Sequence, residues 1–292
     1  MTNAVKATED AILAKRPESR AWRKFRSHKS AIFGSVVVGT FAAIAIAAPV
    51  LPIPSPAATD WGAVRLAPSL AHPLGTDEIG RDIMSRMIWG ARASLMAGVV
   101  SVAIAMVIGV PLGILAGYMR GWVDAMISRC TEALLAIPFL ILAIALAAFL
   151  GPSLTNAMIA IGIAATPLFV RLARGQAINI AAEDYVESAH AIGLSTPKIL
   201  LRYIFPNVLP PVLVQSTLTI ASAIIAEASL SFLGLGQQPP DPSWGAMLNT
   251  AKNFMAQAPW MALWPGVAIY LVVLGFNLLG DGLRDALDPR EE

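Results

Sequence analysis

The chain carries a single cysteine, Cys130, among 292 residues, so no disulfide can form within it. Histidine is nearly as scarce. His28, His72 and His190 are scattered, no Cys/His pair stands at metal-ligand spacing, and a metal centre has no support. Charged residues make up only 14% of the chain against 56% hydrophobic, with mean hydropathy +0.65, which excludes an ordinary soluble domain and places the chain in the membrane class. The formal net charge of +2 points neither to nucleic acid nor to an acidic ligand. No G-x-x-x-x-G-K-[ST] loop is present to cradle phosphates, so nucleotide hydrolysis by this chain is excluded. A cleavable leader is not expected either. The first thirty or so residues are polar and basic, and the apolar run after them is long enough for a retained anchor.

What is present is a series of apolar runs, near 31–51, 93–118, 133–150, 157–170, 211–233 and 261–279. At roughly 20 residues per crossing they predict six transmembrane helices, the fourth short and ending in Arg171 and Arg174, whose stems can snorkel to an interface. An even number puts both termini on one side. Lysine and arginine mark the cytoplasmic side. Placing the tail with Lys6, Lys15, Arg16, Arg20, Arg23, Lys24, Arg26 and Lys29 inside also puts Arg120, Arg129, Arg171, Arg174, Lys198, Arg202, Arg284 and Arg290 inside. Only Arg65, Arg81, Arg86, Arg92 and Lys252 of the 21 basic residues are then outside. The expected organisation is a cytoplasmic tail at 1–30 and a transmembrane domain at 31–292, with outer loops at 52–92 and 236–260 and an inner loop at 174–210.

Pro111, Pro138, Pro167 and Pro265 fall within the runs, where each removes a backbone donor and tends to kink a helix. Gly109, Gly113 and Gly117 recur every fourth residue, the small-xxx-small spacing of close helix packing. Glu227 stands inside the fifth run, where an ionised side chain costs about 2.5–3.5 kcal/mol unless it is paired or hydrated, so it is expected to face the bundle interior in a structural hydrogen bond. Glu227, Ser229 and Ser231 are the candidates for an outer gate or path. Ile79, Ile83, Met84, Met87 and Ile88 share one helical face and predict an interfacial amphipathic helix leading into the second span. Gly234, Gly236 and the prolines 239, 240 and 242 predict a rigid outer turn, with Trp244 a candidate for the aromatic belt.

The inner loop interrupts this pattern with ESAHAIGLSTPKILLRYIFPN, 187–207. Residues 183–192 predict one short helix and 197–205 another, with Gly193 suited to a left-handed position past the first and Thr196-Pro197 suited to an N-cap and N1 for the second. Ala182, Val186 and Ala189 form one stripe, and Glu183, Asp184 and Glu187 sit where the helix dipole favours acids. Such a hairpin can be presented to a partner, and a passive linker fits the pattern about equally well. Two further functions can be weighed here. A serine protease would need a buried pair, whereas Ser195 and His190 lie in the basic hairpin. An ion-coupled secondary transporter would share the kinked helices, but it predicts several buried ionisable groups, and the spans offer Glu227 with Glu132 near one end.

Glu187-Ser188-Ala189, then Gly193, then Ile204-Phe205-Pro206 resembles the EAA signature of permease subunits of ATP-driven (ABC) importers, with Ser188 in place of the second alanine and Ile-Phe-Pro for Ile-x-Leu-Pro. HPLGTDEIGRDIMSRMIWGARASL, 72–95, and EASLSFLGLGQQPPDPSWGAML, 227–248, are similar to segments of the dipeptide, oligopeptide and nickel permeases, in particular the second permease of each pair. The resemblance implies an all-α membrane protein with the type I ABC importer permease fold in a bacterial inner membrane. It implies a coupling loop carried by Glu187, Ser188, Ala189, Gly193, Leu194 and Pro206 that docks on cytoplasmic ATPase subunits. The partners implied are a sister permease forming a heterodimer, two ABC ATPases that hold ATP-Mg, an extracytoplasmic solute-binding protein and membrane lipid. It implies no nucleic acid, no cofactor and no catalysis in this chain. The solute stays open among dipeptides, oligopeptides, nickel complexes and glutathione-like compounds.

Overall fold

The computed structural model describes residues 20–287, with side chains from 24 onward. Lys6, Lys15, Arg16 and Arg290 lie outside the described residues, as do the side chains of Arg20 and Arg23. No strand occurs among the described residues, only an isolated bridge between Thr76 and Asp82. The elements are α1 (Arg20–Ser27), α2 (Lys29–Ala47), α3 (Ile83–Met119), α4 (Gly121–Leu135), α5 (Phe139–Leu150), α6 (Leu154–Ala181), α7 (Asp184–Ala191), α8 (Thr196–Ile199), α9 (Phe205–Phe232), α10 (Trp244–Ala251) and α11 (Trp260–Leu287). A π-helical stretch, Leu200–Ile204, joins α8 to α9.

Five of the described helices are long and apolar enough to cross a membrane unbroken, and α4 with α5, bent by 92° at their break, brings the number to six where the pair counts as one span. The break is where the four prolines singled out in the sequence part company. Pro111, Pro167 and Pro265 lie inside continuous helices, whereas Pro138 is the extended N-cap of α5, so the third crossing is broken rather than kinked. Two causes combine there. A proline disfavours helical geometry in the residue before it, and α4 carries Asp124, Ser128, Arg129, Thr131 and Glu132, so it gains little by continuing straight through lipid. The fourth crossing, expected to be short, runs 28 residues through Arg171 and Arg174 to Ala181, because Asp124 Oδ1 and Oδ2 accept from Arg174 Nε and Nη2 at 2.5 and 2.7 Å.

The glycine ridge of α3 meets α6 directly. A Cβ at Gly109 would stand 2.8 Å from Thr166 O, one at Gly117 2.5 Å from Arg174 O, and one at Gly113 would overlap Val170 O. The three glycines therefore set the distance between two helix backbones. Gly34 does the same for α2 against Gly275 O of α11, at 2.6 Å. One core joins α3, α5, α6, the hairpin and α9; a second joins α2, the start of α3, α9, α10 and α11.

At the bundle end opposite the hairpin, residues 48–82 and 233–259 form a cap. The stretch expected to be an interfacial amphipathic helix is built differently. Its helical part starts only at Ile83, capped by Asp82 Oδ2 accepting from Ser85 N at 2.8 Å, while Arg81 and Arg86 are buried and Met84 is exposed. Trp244 is likewise no belt residue. It is fully buried, donating Nε1–H to Met87 O at 3.1 Å and meeting Phe41 edge-on at 5.6 Å.

Candidate functional site

The hairpin is fixed from its backbone outward. Glu183 caps α7 in extended conformation, its carbonyl accepting from Val186 N and Glu187 N at 2.9 and 3.2 Å. At the other end Gly193 has φ +78°, with Leu194 N bonded to Ala189 O at 3.1 Å and Gly193 N to His190 O at 2.9 Å. These two bonds are the paired closure of a Schellman motif, and the left-handed glycine makes them possible. Ser195, not Thr196, is the extended N-cap of α8, with Pro197 in the first turn. The second helix then runs on through the π stretch, where Phe205 N reaches back to Leu200 O, into α9. The non-helical part of the expected 174–210 loop is thus only 182–183 and 192–195.

One side of this unit is bolted to the bundle. Val186, Ala189, Ile199, Ile204 and Val208 are buried in the main core, with Leu194, Leu200 and Tyr203 packed against them. Tyr118, near the end of α3, hydrogen-bonds His190 Nε2 at 2.9 Å and stacks on its ring. Tyr185 and Tyr203 stack in turn, and Asn207 donates to the Tyr185 hydroxyl at 3.3 Å. The opposite side is open: Tyr185, Glu187, Ser188, Ile192 at 77% and Leu201 at 71% exposure face outward.

This sorts the sequence-derived candidates. Glu187, Ser188, Gly193 and Pro206 are on the surface and Leu194 is half-buried, but Ala189 is only 3% exposed. Ala189 is therefore an inward packing residue and offers no contact to a partner; a small side chain is needed where α7 lies on the core. Ala182 falls outside α7 and is exposed, so it does not extend the buried stripe. The sequence reading missed Ile192 and Leu201. The available signal was a large apolar residue beside a helix-ending glycine in an otherwise polar loop.

At the capped end, Glu227 is fully buried. Its Oε2 accepts from Ser94 Oγ at 2.9 Å and its Oε1 from Ser231 Oγ at 2.7 Å. Each serine oxygen also accepts from the outer loop, Ser94 from Trp244 N at 3.4 Å and Ser231 from Gln237 N at 3.1 Å. The carboxyl group thus clasps α3, α9 and the loop, a structural role rather than a lining of an open path. Ser231 is sealed with it, and half-exposed Ser229 donates to Ile225 O of its own helix at 2.8 Å.

Nearby, Asp77 organises the cap. Its Oδ1 accepts from Ile79 N and Arg81 N at 3.1 and 2.9 Å, and its Oδ2 takes Arg81 Nε at 2.6 Å with Arg86 Nε at 3.5 Å. Arg81 also donates to Glu78 at 2.6 Å, and Arg86 reaches Pro56 O at 2.8 Å and Pro240 O at 3.4 Å. Burial, reinforced by Asp77, pushes the Glu78 carboxyl above its ordinary range despite both arginines.

Comparison with known proteins bears on this arrangement. The family described as "Binding-protein-dependent transport system inner membrane component" matches residues 109–292, and "N-terminal TM domain of oligopeptide transport permease C" matches 17–68. The chain is 46% identical over 282 residues to the dipeptide transport system permease protein DppC of Alkalihalophilus pseudofirmus, covering 97% of this chain and 93% of that protein. It is 47% identical over 275 residues to the glutathione transport system permease protein GsiD of Shigella flexneri, covering 94% and 91%. The inward-facing structure of the MetNI methionine ABC transporter superposes with TM-score 0.58 at 21% identity, covering 70% of this chain and 98% of that one. At that identity the likeness speaks for the fold.

Proposed function

The chain belongs to the family of binding-protein-dependent transport system inner membrane components, the permease subunits of ABC importers, and on that premise we propose how it is assembled and what it carries. It pairs with a sister permease, two ATPases that bind ATP-Mg, and an extracytoplasmic binding protein. Both termini and the hairpin face the cytoplasm in a bacterial inner membrane. The solute is a short peptide or a peptide-like compound, as in the names of the dipeptide and glutathione relatives. An ion-coupled transporter is not favoured.

The observation that carries the coupling role is the two-sidedness of the hairpin: its inner face is packed into the core while large apolar side chains stand in solvent beside Glu187. An exposed apolar patch next to polar groups marks a protein contact. Closure of the ATPase pair would push on this patch, and the Tyr118–His190 contact and the continuous helix from Thr196 to Phe232 would pass the movement into the spans, alternating their access.

The test is co-purification of the ATPases with hairpin variants. Burying an isoleucine contributes about 1.5–3 kcal/mol, so Ile192→Glu, which also buries an unpaired charge, is expected to weaken association at least a hundredfold. Glu187→Ala is expected to cost about 2–5 kcal/mol if its carboxylate is desolvated against a partner, against about 0.3–1 kcal/mol for a solvated helix-start acid. Full retention of the ATPases by both variants would defeat the docking role.

Gly193→Val tests the geometry. Nothing lies within 4 Å of a Cβ there, so the cost is backbone strain alone, about 1–2 kcal/mol. Insertion should persist while ATPase association falls about tenfold; unchanged association would show that the left-handed turn does not matter. Orientation is checked separately. Reporter fusions after Lys29 and Lys198 should read cytoplasmic and those near Asp77 and Asp241 external, and an external Lys198 would overturn the coupling role.

A further inference from the structure

Two crevices flank α4 and share a wall. One, of about 410 Å³, is polar, with Ser128, Thr131 and Glu132 of α4 facing Arg171 and Arg174 of α6. The other, of about 290 Å³, is apolar, lined by Leu112, Met126, Leu134 and Pro167 among others. Thr131 and Val170 line both, so the two are adjacent, and together they lie in the range of about 300–1,000 Å³ usual for small-ligand sites.

The charges around the polar crevice are unevenly matched. Arg174 is held at Nε and Nη2 by Asp124. Glu132 meets Arg129 at 3.6 Å, with the two side chains 66% and 86% exposed, and its charge also reaches Arg174. No carboxylate pairs with Arg171 among the described residues, and its side chain is exposed. These groups stand on a broken crossing and on the helix beside it. Exposed charge in such segments is not tolerated against hydrocarbon; it faces water or a polar partner. A cation and an anion on opposite walls, with an apolar recess between the helices behind them, match one class of solute: a zwitterion with an apolar side chain.

We propose that the double crevice between α4 and α6 is a solute site on the hairpin side of the path, taking a short peptide with its carboxylate on Arg171, its ammonium on Glu132 and an apolar side chain in the recess walled by Leu112, Met126 and Pro167. The site rests on the peptide-import reading above and adds to it the groups that read the peptide's two ends. The carboxylate would meet a planar guanidinium suited to two-point contact. Ser128 lies along the same wall, its hydroxyl proton donated to Asp124 Oδ1 at 2.9 Å, so its oxygen is left to accept from the peptide N–H.

The experiment is a paired removal of charge from protein and solute. The full assembly, with sister permease, ATPases and binding protein, is reconstituted in vesicles, and ATP-driven uptake of alanyl-leucine, its C-terminal amide and its N-acetyl form is measured for wild type, Arg171→Gln and Glu132→Gln. Using one binding protein throughout lets its own preference cancel in each variant-to-wild-type ratio. Uptake of alanyl-leucine is expected to fall about tenfold or more in each variant. The amide should fall no further in Arg171→Gln, and the N-acetyl form no further in Glu132→Gln, because the partner charge is already missing. Arg171→Lys should recover part of the loss. Equal losses for all three solutes, or wild-type uptake by both variants, would overturn the site while leaving the importer reading intact. Loss of the sister permease from either variant on purification would overturn it in favour of a subunit interface. An assembly that forms and hydrolyses ATP but carries none of the three solutes would overturn the peptide reading, and this site with it.

Discussion

Gly113→Leu is expected to abolish accumulation of folded protein. At this position α3 lies so close to α6 that even a Cβ would overlap Val170 O, and Ala173 Cβ and Arg174 N stand at 2.8 and 2.9 Å. These are backbone and near-backbone atoms, which cannot rotate away as the tip of a side chain could. Overpacking usually costs about 1–3 kcal/mol when neighbours can adjust. Here the adjustment is separation of two whole helices along a three-glycine ridge, so the cost exceeds that range. Leucine is a better helix former than glycine by about 1 kcal/mol, and this gain is too small to compensate. Gly39→Leu is the matched control, since Gly39 also sits mid-helix but has nothing within 4 Å. Yield and thermal stability in detergent should drop sharply for Gly113→Leu, in an intermediate way for Gly113→Ala, and little for Gly39→Leu. Equal behaviour of the two leucine variants would show that the ridge does not set the helix spacing.

Asp77→Asn is expected to open the cap. The substitution leaves two buried guanidinium groups short of a counter-charge, and breaking a buried ion pair from one side costs about 3–5 kcal/mol. Arg81 keeps Glu78 at 2.6 Å, which places the expected loss in the lower half of that range. The cap is tied by Arg65 N to Asp77 O, Thr76 N to Leu66 O and Asp77 N to Arg81 O, each at 3.0 Å. Hydrogen exchange of these three amides should therefore quicken by roughly 10²–10³-fold, at about 1.4 kcal/mol per decade. Exchange at the wild-type rate would remove Asp77 as the organiser.

Glu78 behaves oppositely, because its carboxyl is pushed up by burial and by Asp77. A raised pKa in the folded state means the folded protein favours the protonated form. That contribution is complete below the ordinary value of 4.5 and is lost as pH rises through the shifted one. The protection of the cap amides in the wild type, taken relative to the intrinsic exchange rate at each pH, should rise toward the acid side of this window. Glu78→Gln should flatten the dependence there without opening the cap.

The sequence by itself determined the five unbroken apolar spans, the helical class and the turn at Gly193. Each depends on a property read locally: run length against bilayer thickness, or the one residue type that accepts φ +78° without strain. The EAA-like residues were legible as a block for the same reason. Which way each of them faces was not, since α7 is two turns long and its inner side is chosen by what it lies on: Ala189 went inward while Ile192, one turn on, stayed in solvent. The tertiary structure also decided the fate of the charged residues. Arg81 and Arg86 looked like the polar side of a surface helix until Asp77, Pro56 and Pro240 were brought around them. Pro138 reads the same as Pro111, Pro167 and Pro265 along the chain. What sets it apart is the polar α4 before it, whose Asp124 is paired by Arg174 of α6, a neighbour 50 residues away in sequence that the chain alone does not reveal.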